Sequence, residues 1–135
     1  MREQEIYLAK SLESLQGAES ELTQKRFNNS ANRSYYACFQ GAVAALQDEG
    51  IKPEGAGGEW RHAFVQAAFA GELIQRRKRY SADLRSILPK NEDLRHRADY
   101  TIEMVSEKAA KRALDRARAF IERVRDRVEK EGTGL

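Results

Sequence analysis

Two short stretches hold the side chains that could do chemistry. In LRHRADY (94–100), Arg95 and Asp99 stand four residues apart, as do His96 and Tyr100; in SANRSYYACF (30–39), so do Asn32 and Tyr36. Four residues is a little over one helical turn, so each pair shares a face. An arginine and an aspartate on one face could clamp a phosphate beside a carboxylate, the start of a phosphodiester site. The same spacing also describes an intrahelical ion pair worth about 0.2–0.5 kcal/mol. On residue chemistry alone that ion pair is the stronger reading. Asn32 sits in a stretch otherwise fit for burial, which suits a core amide bonded to a helix end and a functional group equally well. Tyr35 and Tyr36 are adjacent and cannot both enter one core. One hydroxyl is therefore expected to reach the Arg95 region, with the Asn32 helix facing the helix that carries Arg95 and Asp99.

Other chemistries find less support. His62 and His96 are the only histidines, with neither a helical His pair nor a carboxylate cluster beside them, so no metal site is expected. GAGG (55–58) has no strand leading into it and no Gly-Lys-Ser behind it, which argues against a phosphate-binding loop. Nothing in the spacing supports a Ser/His/Asp arrangement. The single cysteine, Cys38, rules out an internal disulfide, fits a reducing compartment and reads as a buried, inert thiol. No cofactor is expected.

The chain has 135 residues, enough for one domain with a core of its own. Residues 1–131 read as that domain and 132–135 as a frayed tail. No apolar run reaches the roughly 18 residues of a membrane span, and the N-terminal MREQEIYLAK lacks a secretory core. A soluble, cytoplasmic protein without membrane contact is the expectation. Basic residues number 24 against 21 acidic, a net +3 too mild to require nucleic acid by itself. RRKRY (76–80) has few acids near it and could track phosphates, although a solvated helix face is the stronger reading. Trp60 reads as a core anchor rather than a stacking platform.

The elements that must position these groups are helical. Leu8, Leu12, Leu15 and Leu22 make one stripe in the first segment. A second helix runs from about Ser30 to Glu49, with Asn29 or Ser30 as its cap. It is apolar almost all round and so belongs at the centre. EGIKPEGAGGE (49–59) is the clear loop. Trp60, Phe64, Val65 and Phe69 suggest a shorter helix, then two short helices on either side of Pro89, which should end or kink what precedes it. Ser106 caps a last helix whose stripe is Leu114, Ala117, Ile121, Val124 and Val128. The sum is an all-α antiparallel bundle of four main helices plus a short one.

Taken in order, SANRSYYACF (30–39), WRHAFVQAAF (60–69), LIQRRKRY (73–80), LRHRADY (94–100) and VSEKAAKRALDRARAFIERV (105–124) span nearly the whole chain. This set resembles the HEPN domains, in particular the compact prokaryotic group associated with minimal nucleotidyltransferases. The resemblance implies a homodimer with its cleft at the interface, acting in a toxin–antitoxin or defence module. It implies a metal-independent endoribonuclease that binds RNA or a nucleotide, with a nucleotidyltransferase-type antitoxin as partner. Such enzymes use an Arg, four to six residues, then a His. The Arg carries over to Arg95; at the histidine's place stand Asp99 and Tyr100, and His96 comes too early. Arg95, Asp99 and Tyr100 are thus the expected catalytic residues, and Asn32, Tyr36 and Arg97 the expected substrate-binding ones. The missing histidine leaves a silent module, holding a nucleotide or docking a nucleotidyltransferase, as the alternative. Tyr100 is the nearest tyrosine for that partner to modify.

Overall fold

A computed structural model describes residues 1–53 and 57–132, the side chains of 131 and 132 excepted. The helices are α1 (Glu3–Thr23), α2 (Phe27–Asp48), α3 (His62–Ala68), α4 (Ile87–Tyr100) and α5 (Glu107–Gly132). Among the described residues there is no strand. Four long helices and one short one agree with the all-α expectation. The middle of the 49–59 loop and the end of the 132–135 tail lie outside the described residues.

α2 is the centre. Its Tyr35, Ala37, Cys38, Ala42, Val43, Ala44, Ala45 and Leu46 are all fully buried, so it needs neighbours on every side. α1 runs antiparallel to it: Ser30 Oγ donates to the Ala18 carbonyl (2.9 Å), and Gln47 near the other end reaches Glu3 (3.3 Å). The leucine stripe of α1 is only part of that contact. Ser11, Ser14 and Ala18 are buried too, small residues that let the two helices approach closely. α4 also runs antiparallel to α2, with Asn32 opposite Asp99 and Cys38 opposite Asn91. α5 lies parallel to α2, and its five stripe residues are all buried.

The ends of the elements have local causes. α1 and α2 each close by reciprocal bonds across the last turn. Lys25 N–H meets Leu22 O (3.0 Å) and Arg26 N–H meets Glu21 O (2.9 Å); Gly50 N–H meets Gln47 O (3.0 Å) and Ile51 N–H meets Leu46 O (2.9 Å). Lys25 and Gly50 adopt the left-handed conformation this needs, at φ 61° and 76°. α2 begins at Phe27, earlier than a cap at Asn29 or Ser30 would allow, because Ser30 is buried against α1 instead. Ser106 does cap α5, its Oγ accepting from Ala109 N–H (3.1 Å).

Pro89 corrects the reading of the middle segment. It is the third residue of α4, in the first turn, where a helix has no internal use for the missing N–H, so it opens a helix rather than ending one. Before it, α3 widens into a π-helical stretch, Phe69–Arg76. Residues four and five apart share a side there, which brings Phe69, Leu73 and Ile74 all to the core. A single 3₁₀ turn, Ala82–Leu84, links it to α4.

Candidate functional site

α4 presents Glu92, Arg95 and Asp99 at spacings of three and four, a single face turned toward α2. Asn32 of α2 donates from Nδ2 to Asp99 Oδ2 at 2.8 Å, while its Oδ1 accepts from Arg33 Nη2 at 2.7 Å and Nε at 3.0 Å. The helix-two asparagine therefore has a polar reason for its place: it bridges the two helices and orients the carboxylate.

Arg95 lies behind that carboxylate. Its Nη1 stands 3.7 Å from Asp99 Oδ2, an ion pair too long for a hydrogen bond. Its Cζ lies 4.9 Å from the Tyr35 ring centre, 5.7 Å from Tyr36 and 5.8 Å from Tyr100. The side chain is only 12% exposed, and its buried Nε has no hydrogen-bond partner among the described residues. A guanidinium held against aromatic faces, with its buried Nε unpartnered among the described residues and only a long ion pair to Asp99, is suited to take an anion. Arg33 adds a second guanidinium on the other side, 5.0 Å from the Tyr36 ring centre.

Tyr35 is fully buried, and its hydroxyl ties three helices together. It lies 3.0 Å from Glu92 Oε2 on α4 and 2.6 Å from His62 Nδ1 on α3; Gln66 Nε2 donates to the same carboxylate oxygen. His62 stacks on Phe39 (4.4 Å between ring centres) and on Tyr35 (5.5 Å). Burial, and then the charge of Glu92, push the Tyr35 phenol well above its ordinary range. Burial first, and then the positive charge of Arg95, hold His62 below the ordinary histidine value, against the opposing pull of Glu92.

That shift predicts a pH dependence. His62 binds a proton more readily when unfolded, so stability rises with pH through its titration. Lowering the pH from about 6.5, the unfolded value, through the folded one should destabilise the wild type more than His62→Gln. Melting curves of the two proteins between neutral and mildly acidic pH test this, and parallel losses would contradict it.

Of the residues expected from sequence, Arg95, Asp99, Asn32 and Tyr36 come together. Tyr100 flanks Arg95 from the rim, 67% exposed, with His96 beside it (5.2 Å between ring centres). Arg97 does not join them. It points to another face, paired with Asp93 (3.3 Å) and Glu103 (3.7 Å), because two residues along a helix is over half a turn. The RRKRY stretch is elsewhere as well. Arg76 and Arg77 pair with Glu72, and Arg77 and Arg79 with Glu49, beyond the C-terminal end of α2. There a cleft of about 600 Å³ opens between Arg79, Tyr80, Arg123 and Arg127, remote from Asn32.

Three residues of the site escaped the sequence reading. Glu92 was detectable, three residues before Arg95 on the same face. His62 stood out only as one of two histidines without a metal-site partner, and Arg33 gave no signal beyond adjacency to Asn32. Cys38 is inert as expected: burial pushes its thiol up to about 12. Among the described residues no group of His, Cys, Asp and Glu could hold a metal ion, and no helix is long and apolar enough to cross a membrane.

No curated protein matches the chain. The family model described as HEPN domain matches residues 4–127, which takes in every residue of the Arg95 cluster. The chain belongs to the HEPN domain family.

Proposed function

We propose that residues 1–131 act as one RNA-binding unit that holds a phosphodiester at Arg95 and cleaves it, in a toxin–antitoxin or defence setting. One observation carries this reading: Arg95 is nearly buried and, among the described residues, has only a long ion pair to Asp99 and no hydrogen-bond acceptor for its buried Nε. Buried charges are costly unless paired, and a phosphate oxygen pair fits the guanidinium fork. Asn32 keeps Asp99 to one side, Tyr36 and Arg33 line the approach, and Tyr100 forms the rim. The cytoplasm is the compartment such a substrate implies.

A homodimer is the expected assembly. Tyr100, Ile102 and Met104 are exposed beside the site, at 67%, 102% and 80%, a suitable apolar margin for a second copy or a nucleotidyltransferase-type antitoxin. A second reading, a silent nucleotide-binding or docking module, is favoured by Asp99. The carboxylate stands four residues after Arg95, already engaged by Asn32, and α4 offers no histidine on that face.

The test is binding and cleavage of end-labelled tRNA and total RNA in EDTA. Arg95→Ala should weaken RNA binding about 10–100-fold, the worth of one charge-assisted contact, and lower the salt slope by about one. Arg95→Lys should fall between, keeping charge but losing the fork. RNA affinity unchanged in Arg95→Ala would end this reading. Arg95-dependent binding without cutting would leave the silent module.

A further inference from the structure

We propose that His62, supplied by α3 rather than by α4, is the proton acceptor of this site, taking the proton of a ribose 2′-hydroxyl while Arg95 holds the adjacent phosphodiester. The inference rests on the Arg95 reading and adds a histidine, which α4 does not offer on the Arg95 face. In the step, the 2′-oxygen gives up its proton to His62 Nε2 and forms a bond to phosphorus. The P–O5′ bond breaks, and the 5′-oxygen leaves with its electron pair and takes a proton from water. The products are a 2′,3′-cyclic phosphate and a 5′-hydroxyl. His62 then returns its proton to solvent. No oxidant, metal or second substrate enters the balance.

Hydrogen-bond logic assigns the tautomer. The Tyr35 hydroxyl donates its single proton to the Glu92 carboxyl oxygen Oε2 (3.0 Å). The Tyr35 oxygen is then an acceptor toward His62, and the 2.6 Å contact requires the proton on Nδ1. Nε2 is left with its lone pair, and it has no partner among the described residues. The ring packs between Phe39 (4.4 Å) and Tyr35 (5.5 Å) and is met edge-on by Tyr36 (5.9 Å), contacts that favour this one orientation of the two nitrogens. A carboxylate, a phenol and an imidazole in series form an orienting chain of the kind that prepares a histidine as a base.

The base and the anion holder are neighbours through one phenol: the His62 ring and Arg95 Cζ lie 5.5 and 4.9 Å from the Tyr35 ring centre. The titratable and charged groups facing His62 are Tyr35 and Tyr36 of α2 and Glu92 and Arg95 of α4. With burial and Arg95 holding its pKa down, the imidazole is neutral near pH 7 and able to accept. His96, exposed and tilted against the Tyr100 ring, lacks such an orienting chain among the described residues.

The experiment compares wild type, His62→Gln, His96→Gln and Arg95→Ala on end-labelled tRNA and total RNA in EDTA. Affinity is measured in parallel with a 2′-O-methyl RNA, which cannot react. His62→Gln should cleave at least about 100-fold more slowly, the usual worth of a general base, while its affinity for the 2′-O-methyl RNA stays within about threefold. His96→Gln should match wild type, and wild-type products should end in 2′,3′-cyclic phosphate. The wild-type rate should rise with pH to a plateau, half-risen below about 6.5, a profile that a packing residue would not impose. Cleavage by His62→Gln near the wild-type rate overturns the proposal. So does wild-type RNA binding that depends on Arg95 but yields no cleavage, which leaves Arg95 as the anion holder of a silent module. RNA affinity indifferent to Arg95→Ala overturns both. Should His62→Gln fold poorly, imidazole ¹⁵N spectra of the wild type decide: a proton on Nδ1 is required, and a proton fixed on Nε2 sinks the assignment.

Discussion

Tyr35→Ala should cost about 3–5 kcal/mol of folding stability, and Tyr35→Phe about 1–3. The alanine removes a fully buried ring at the heart of α2, on which His62 stacks and over which Arg95 lies. A domain this size has about 5–15 kcal/mol in all, so that variant approaches unfolding. The phenylalanine keeps the ring and deletes one oxygen. Glu92 is left with Gln66 alone, and His62 Nδ1 loses its acceptor. Urea denaturation with unchanged slope separates the two contributions. A stable Tyr35→Phe would mean that the phenol bridge adds nothing in solution, and the tautomer assignment for His62 would lose its basis.

Asn91→Ala should cost about 2–4 kcal/mol, although no proposed chemistry touches it. Asn91 is fully buried where α2, α4 and α5 meet. Its Nδ2 donates to the Ala113 carbonyl (3.1 Å) and approaches Cys38 Sγ (3.5 Å), and its Oδ1 accepts from Arg116 Nε (2.7 Å). Truncation takes the acceptor from Arg116 Nε and a second donor from the Ala113 carbonyl, and leaves a cavity where three helices meet. Asn91→Asp should rescue little, since it keeps an acceptor for Arg116 but sets a carboxylate against the Ala113 carbonyl. By contrast Asp93→Ala, two residues on, removes an ion pair whose carboxylate is 69% exposed and should shift stability by no more than about 0.5 kcal/mol. Equal losses in the two alanine variants would refute the network's role.

Much of this architecture was legible because helices declare themselves by period. The α5 stripe, the all-round apolar α2 and the Ser106 cap each rest on spacing and local chemistry, and each stands in the folded protein. Pro89 was misread because a proline that stops one helix and a proline that starts another look alike until the first turn is located. The π-helical stretch was invisible, since Phe69, Leu73 and Ile74 at spacings of four and one fit no α-helical face. Within the site, Arg95, Asp99 and Asn32 were legible as polar groups at helical spacing in apolar surroundings. Arg97 was over-read from proximity in sequence, which a helix converts into opposition. His62 was under-read, because its partners Tyr35 and Glu92 lie 27 and 30 residues away.

α3 has only seven residues and continues into a π-helical stretch. Segments of this kind open independently of the rest of a domain, at a free energy below that of global unfolding. Arg95, Asp99 and Asn32 belong to the long helices α2 and α4, and His62 to this short segment. Each local opening of α3 would carry the imidazole away and leave the guanidinium where it was. Attraction for an anion and readiness to move a proton are then set by different parts of the chain, and a mutation that only loosens α3 would lower the second while sparing the first.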